Sequence, residues 1–190
     1  MSSEYVGNEL ELFSIAHNWR TYWTAKLGSH LGHKVLEIGA GLGSVTKQLS
    51  SKSNLWIAVE PDRAMAEFLQ FEDLPANTSV ICGTIDSIDA GNEKFDSILY
   101  IDVLEHIEND ILEVQKASDL LSTGGKLIIL CPAHDWLMSE FDIQIGHYRR
   151  YSKASLDQIR PDRMVHESAI YLDSIGLIAS IVNRYLLKQG

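Results

Sequence analysis

The chain has 190 residues and a formal net charge of −10, a length that fits one domain with a sizeable core. Its 45% hydrophobic and 22% charged residues exclude a disordered chain outside the ends. Residues 1–130 hold 9 Lys and Arg against 19 Asp and Glu, whereas residues 131–190 hold 7 of each. An acidic core of this kind lacks the counterion-releasing footprint of a nucleic-acid binder. The one basic cluster is Arg149 and Arg150 with Lys153.

In chain order, Leu10, Phe13, Ala16, Trp19, Tyr22, Trp23 and Leu27 fall mostly at three- and four-residue steps, which predicts a helix over 9–27. Gly28 and Gly32 interrupt it. Residues 34–38 predict a buried strand, followed by the loop Gly39-Ala40-Gly41-Leu42-Gly43 and a helix over 44–49. A second apolar run over 55–59 ends at Glu60-Pro61-Asp62, and a helix over 64–71 follows. Strands are predicted over 79–82 and 95–101, a helix over 111–121, and, after the turn Thr123-Gly124-Gly125, a fifth strand over 126–130. Continuous apolar strands alternating with helices predict a Rossmann-like, doubly wound, mostly parallel α/β sheet with helices on both faces. Ligands bind such sheets beyond the carboxyl ends of the strands. The loops starting at residues 37, 60, 82, 102 and 131 are therefore the candidates.

Cys82 and Cys131 lie in apolar runs without a partner at metal spacing, and read as small buried hydrophobes of a reducing compartment. The start MSSEYVGNELE has no basic-then-apolar leader, and the apolar stretch 169–187 is interrupted by Asp173, Asn183 and Arg184. A cytoplasmic protein without a transmembrane segment is expected. The His and acidic residues do not cluster at ligand spacing along the chain, so no metal site is expected.

The glycine loop is informative in its details. A dinucleotide fold prefers G-x-G-x-x-G, which would put the third glycine at 44, where this chain has Ser44. Here the third glycine is Gly43, and Glu37 precedes the loop. That charge repels a pyrophosphate and attracts an ammonium or sulfonium; the alternative is that Glu37 only satisfies loop amides. Glu60, at the tip of the second strand, suits both hydroxyls of a ribose, the alternative being a surface carboxylate before Pro61. Gly83, Thr84 and Ile85 offer a polar edge and an apolar face for an adenine.

Taken in this order, VLEIGAGLG, WIAVEPD, CGTI, FDSILYIDVLEHI and LLSTGGKLIIL resemble the class I S-adenosylmethionine-dependent methyltransferases over residues 33–132. The tail CPAHDWLMSEFDIQIGHYRRYSKASL is similar to a small-molecule subgroup with a GHyRRY stretch. The resemblance implies methyl transfer from S-adenosyl-L-methionine, leaving S-adenosyl-L-homocysteine, to a small-molecule acceptor by in-line displacement. It implies that Glu37 with Gly39, Ala40, Gly41 and Gly43 holds the methionine part, that Glu60 and Pro61 hold the ribose, and that Thr84 and Ile85 edge the adenine. At Thr84 the family often has Asp. Asp102 and Val103, in the run through Glu105 to His106, would line the floor near the reactive methyl. The chain would be a single domain over 1–190, with a helical cap over 1–30, a cofactor-binding core over 31–132 and a substrate-side segment over 133–190. The family's sheet has seven strands with the last antiparallel. About six can be placed here, so the last is expected to be missing.

A general base is needed only where the acceptor loses a proton as it attacks. His106 and His147 are the candidates, with His106 expected at the start of the helix after the fourth strand. His134, Arg149, Arg150 and Tyr151 are expected on the acceptor side. An inward arginine would favour an anionic acceptor, and the alternative is a salt bridge to Asp142 or Glu140. The first helix, with His17, Trp19, Tyr22 and Trp23, reads as a lid over the donor or as a covering helix. The stretch 169–187 reads as a lipophilic acceptor site, a homodimer contact or core. Two other functions remain open, an NAD(P)-dependent oxidoreductase and a protein that binds the donor without transferring its methyl group.

Overall fold

A computed structural model describes residues 17–89, 91 and 94–172. Five strands, β1 (Lys34–Ile38), β2 (Leu55–Glu60), β3 (Thr78–Cys82), β4 (Phe95–Ile101) and β5 (Leu121–Leu130), form one sheet in the order β3-β2-β1-β4-β5. All four pairings are parallel. The central strands are buried along nearly their whole length, as their continuous apolar runs require. The order reverses between β1 and β4, and such sheets bind ligands at this switch point, beyond the carboxyl ends of the strands. At the opposite, amino ends of these two strands, Asp96 fixes their register. Its Oδ2 accepts from the amides of His33 and Lys34, each at 3.0 Å, and Ser97 Oγ accepts from Gly32.

The helices between the strands are α1 (His17–Gly28), α2 (Thr46–Leu49), α3 (Arg63–Phe71) and α4 (Asp110–Leu120), followed by the short α5 (Glu140–Gln144) and α6 (Lys153–Gln158). Asp62 caps α3 by accepting from the Met65 amide at 2.9 Å, which ends the β2 loop and starts the helix at once. The helix expected over 9–27 is described only from His17, and residues 9–16 lie outside the described residues. The helix expected over 44–49 shortens to α2 and a 3₁₀ turn, Ser50–Lys52. The turn Thr123-Gly124-Gly125 does not precede β5 but lies within it as an irregularity. Leu121 pairs with Phe95 and Lys126 with Ser97, and Gly124 takes up the extra chain at φ 79°.

The chain divides into two compact units. One comprises residues 1–101 with 116–130, and the other residues 102–115 with 131–190. The whole sheet belongs to the first. Within the second unit the segment after β4 makes hydrogen bonds with a stretch forty residues later. Tyr148 donates its amide to the Glu105 carbonyl at 2.8 Å, and Tyr151 Oη donates to the Leu104 carbonyl at 3.3 Å. Cys82, expected to be buried, is exposed at the end of the edge strand β3, and Cys131 is half-buried. No described helix is long and apolar enough to cross a membrane. Of the stretch 169–187, residues 173–187 lie outside the described residues.

Candidate functional site

In the first unit the loop after β1 turns on three glycines at positive φ, Gly39 (71°), Gly41 (55°) and Gly43 (77°). The amides of Gly39 and Ala40 both donate to the Val59 carbonyl, at 2.8 and 3.0 Å, which draws the loop across the end of β2. Gly43 has a packing reason as well. A Cβ there would lie 2.2 Å from Leu69 Cδ1, and Leu69 is fully buried in α3. Gly43→Ala is therefore expected to cost about 1–2 kcal/mol for the left-handed backbone alone, with a further loss from the Leu69 clash, read as a lowered urea midpoint.

Glu60 sits at the tip of β2 and binds both neighbouring loops. Its Oε2 accepts from the Gly41 amide at 2.7 Å and its Oε1 from the Asp62 amide at 2.9 Å. Burial pushes its carboxyl above the ordinary value, against the pull of these two amides. The carboxylate thus stands where the β1 and β2 loops converge, at the carboxyl end of the sheet. Thr84 and Ile85 follow β3, with Thr84 capping the 3₁₀ turn Ile85–Ser87 and the Ile85 side chain buried.

Glu37, at the end of β1, is buried and internally hydrogen-bonded. It is 2% exposed, and its Oε2 accepts from Thr46 Oγ1 at 2.6 Å and from Trp56 Nε1 at 2.8 Å. Burial raises its carboxyl to about 7, although both donors oppose the shift. Its Oε2 ties the start of α2 to β2. Trp23 of α1 is buried while Tyr22 is half-exposed.

The second unit holds the residues expected to serve the acceptor. Asp102, directly after β4, has φ 53°, a left-handed conformation that a non-glycine residue holds only under constraint. His106 lies in the 3₁₀ turn Leu104–His106 rather than at the start of α4. Its ring meets that of His147 edge-on, with centroids 4.6 Å apart. Burial first, then the proximity of His147, lowers the His106 imidazole to about 4. His147 Nδ1 lies 3.0 Å from Asp142 Oδ1. Burial first, then the charge of Asp102, raises the Glu105 carboxyl to about 8.

Both arginines are committed. Arg150 forks onto Asp142, from Nε to Oδ1 at 2.9 Å and from Nη2 to Oδ2 at 3.0 Å. Arg149 pairs with Asp110 at 2.6 Å. Tyr151 is 2% exposed and donates to Asp110 Oδ2 at 2.8 Å, which braces the unit. His134 has φ 69° and stacks on Tyr171 with centroids 4.7 Å apart. The Arg150–Asp142 fork is the salt bridge weighed as the alternative to an inward arginine, whereas Asp110, the partner of Arg149 and Tyr151, was not among the expected residues.

Comparison with known proteins names the family. Residues 36–129 match the model of a methyltransferase domain, and this segment carries the whole sheet apart from its first two residues, its last residue and nothing else. Residues 36–129 thus carry a methyltransferase domain, and the sheet has the fold of the class I methyltransferases. The donor of this family is S-adenosylmethionine, and its reaction is transfer of the donor's methyl group. Among curated relatives, an uncharacterized methyltransferase of Bacillus licheniformis is 33% identical over 53% of this chain and 47% of its own length. A ubiquinone biosynthesis O-methyltransferase of Bradyrhizobium diazoefficiens is 26% identical over 55% of this chain and 42% of its own. The chain thus spans less than half the length of these relatives. Magnesium protoporphyrin IX methyltransferase from Synechocystis PCC 6803, solved with bound S-adenosylhomocysteine, shares the fold at a TM-score of 0.59 and 16% identity, over 77% of this chain and 71% of that one.

Proposed function

We propose that the chain binds S-adenosylmethionine at the carboxyl ends of β1 to β3 and transfers its methyl group to an oxygen of a small organic acceptor. The observation that carries the donor assignment is Glu60, a carboxylate at the tip of β2 held 2.7 Å from the amide of the glycine loop. In this reading Glu60, with Pro61 beside it, accepts the ribose hydroxyls. Gly39, Ala40, Gly41 and Gly43 leave room for the methionine part, and Thr84 and Ile85 meet the adenine. Glu37 acts indirectly by holding the loop-to-helix junction. Asp102 and Val103 follow β4 and belong to the methyl end of the donor.

A sulfonium is already an activated methyl carrier, so the chain has mainly to align the incoming nucleophile, an effect worth roughly 7–11 kcal/mol at its limit. The oxygen acceptor is supported by relatives named as ubiquinone biosynthesis O-methyltransferases. A small acceptor is supported by the tetrapyrrole methyltransferase that shares the fold. His106 and His147 are the groups able to take a proton from that oxygen, and His134 completes the acceptor side. Arg149 and Arg150 serve it through the carboxylates they hold.

Calorimetric titration with S-adenosylhomocysteine, with NAD as control, tests the reading. Micromolar binding of the first and none of the second is the expected result. Binding of NAD alone would sink the reading in favour of an oxidoreductase.

A further inference from the structure

We propose that Glu105, His106 and His147 form a binding site for a divalent transition-metal cation, with Asp142 and the Gly146 backbone orienting the two imidazoles. Glu105 is the starting point. Its side chain is 0% exposed, and among the described residues neither carboxylate oxygen has a hydrogen-bond partner. Buried carboxylates are normally hydrogen-bonded, paired with a cation or bound to a metal, because removing them from water unpaired is expensive. Arg150, the nearby guanidinium, is engaged by Asp142.

The two histidines complete the set. His147 Nε2 lies 3.9 Å from Glu105 Oε1, while its Nδ1 lies 3.0 Å from Asp142 Oδ1. Asp142 is held as an acceptor by Arg150 and by Ser139, whose amide and hydroxyl donate to Oδ2 at 2.8 and 2.7 Å. The ring proton of His147 therefore belongs on Nδ1, and Nε2 presents its lone pair toward Glu105. A cation between Nε2 and the Glu105 carboxyl would give both a partner, forming two bonds to ligands the fold already holds together. His106 is turned by a hydrogen bond with the Gly146 backbone. Gly146 holds φ 87°, and a Cβ there would come to 3.7 Å from His106 Nδ1.

One ligand atom from each of the three residues lies within 4.8 Å of the others. Bonds of roughly 2.0–2.2 Å bring ligand atoms to within about 3–4 Å of one another, so the set closes on an ion with a small side-chain shift. Two imidazoles and one carboxylate suit Mn²⁺, Fe²⁺, Co²⁺, Ni²⁺ or Zn²⁺ better than Mg²⁺ or Ca²⁺. A carboxylate behind a metal-bound histidine is the usual means of fixing its tautomer. Three protein ligands leave at least one position open for water or an acceptor oxygen. That last use rests on the methyl-transfer reading, whereas the site itself does not. Residues 105–106 and 142–147 meet only through the fold, so no ligand spacing along the chain marks the set.

The test uses the full chain stripped with chelator and titrated calorimetrically with Zn²⁺ and Mn²⁺, together with the absorption spectrum of the Co²⁺ form. One equivalent per chain is expected, with Co²⁺ bands of nitrogen and oxygen ligation and no thiolate charge transfer. Glu105→Gln, which substitutes a neutral amide of the same shape, and His147→Ala should each weaken Zn²⁺ binding a hundredfold or more. Asp142→Asn should weaken it by tenfold to a hundredfold, and Cys82→Ser should leave it unchanged. The proposal is overturned if the wild-type chain takes up no stoichiometric metal, or if Glu105→Gln melts normally and binds metal as before. Where a variant does not fold, the wild-type Co²⁺ spectrum decides, and absence of nitrogen ligation overturns the site. Titrating the metal-free chain with S-adenosylhomocysteine separates the two readings. Donor binding without metal binding defeats the site alone, and metal binding without donor binding defeats methyl transfer alone.

Discussion

Trp56→Ala is expected to lower stability by about 3–5 kcal/mol, the range for emptying a large aromatic site in a packed core. For a chain of this size that is a drop of roughly 6–20 °C in melting temperature. Trp56 is fully buried on β2, so the cavity cannot refill from solvent-facing side chains. Its Nε1 also donates to Glu37 Oε2, and the substitution removes one of the donors that keep a buried carboxylate tolerable. The pH dependence isolates this second effect. Burial raises the folded Glu37 carboxyl to about 7 from an ordinary 4.5. Between those two values the unfolded chain is ionised there while the folded chain holds the proton. Folding then takes up a proton, and stability falls as pH rises through the window. Trp56→Phe, which keeps most of the volume but not the donor, should steepen that fall, and Glu37→Gln should flatten it relative to wild type. Urea midpoints at pH 5 and pH 7.5 read both. A Trp56→Phe chain with the wild-type pH slope would show that the indole hydrogen bond does nothing for Glu37.

The sheet was legible because its strands announce themselves as unbroken apolar runs, and parallel strands covered by helices need nothing else. Glu60 was legible for a related reason, since a strand that ends on a carboxylate puts it at the carboxyl edge whatever the helices do. Glu37 was legible only in part. Its position before the glycine loop is visible in the sequence, but the direction of its side chain depends on Trp56, nineteen residues later. The GHYRRY stretch shows the same limit. Two adjacent arginines can be seen to matter and Asp142 was one of the partners weighed for them, yet Asp110, about forty residues earlier in the chain, is selected by packing. The left-handed backbone of Asp102 and His134 left no mark in residue type. The Glu105, His106 and His147 cluster is the extreme case, because an i, i+1 pair and a distant histidine carry no ligand spacing.

Glu60→Ala is expected to weaken S-adenosylhomocysteine binding by about tenfold to a hundredfold, from the loss of charge-assisted hydrogen bonds worth roughly 1.5–3 kcal/mol. The structure complicates the interpretation, because the same carboxylate already accepts from the Gly41 and Asp62 amides. A loss of affinity in the alanine variant could thus come from a slackened glycine loop without any contact to the ribose. The two causes separate in a cycle that varies the ligand as well as the residue. If Glu60 reads the ribose, a 2′-deoxy form of S-adenosylhomocysteine binds the wild-type chain several-fold more weakly, and the alanine variant no longer distinguishes the two ligands. If Glu60 only anchors the loop, deoxygenation costs the same in both proteins and the cycle closes with no coupling. Glu60→Gln adds the charge to the argument. It retains an acceptor oxygen for Gly41 while losing the ionic character, so a ribose contact predicts an affinity between wild type and alanine. A wild-type affinity in the glutamine variant, together with a closed cycle, would move the ribose assignment away from Glu60 altogether.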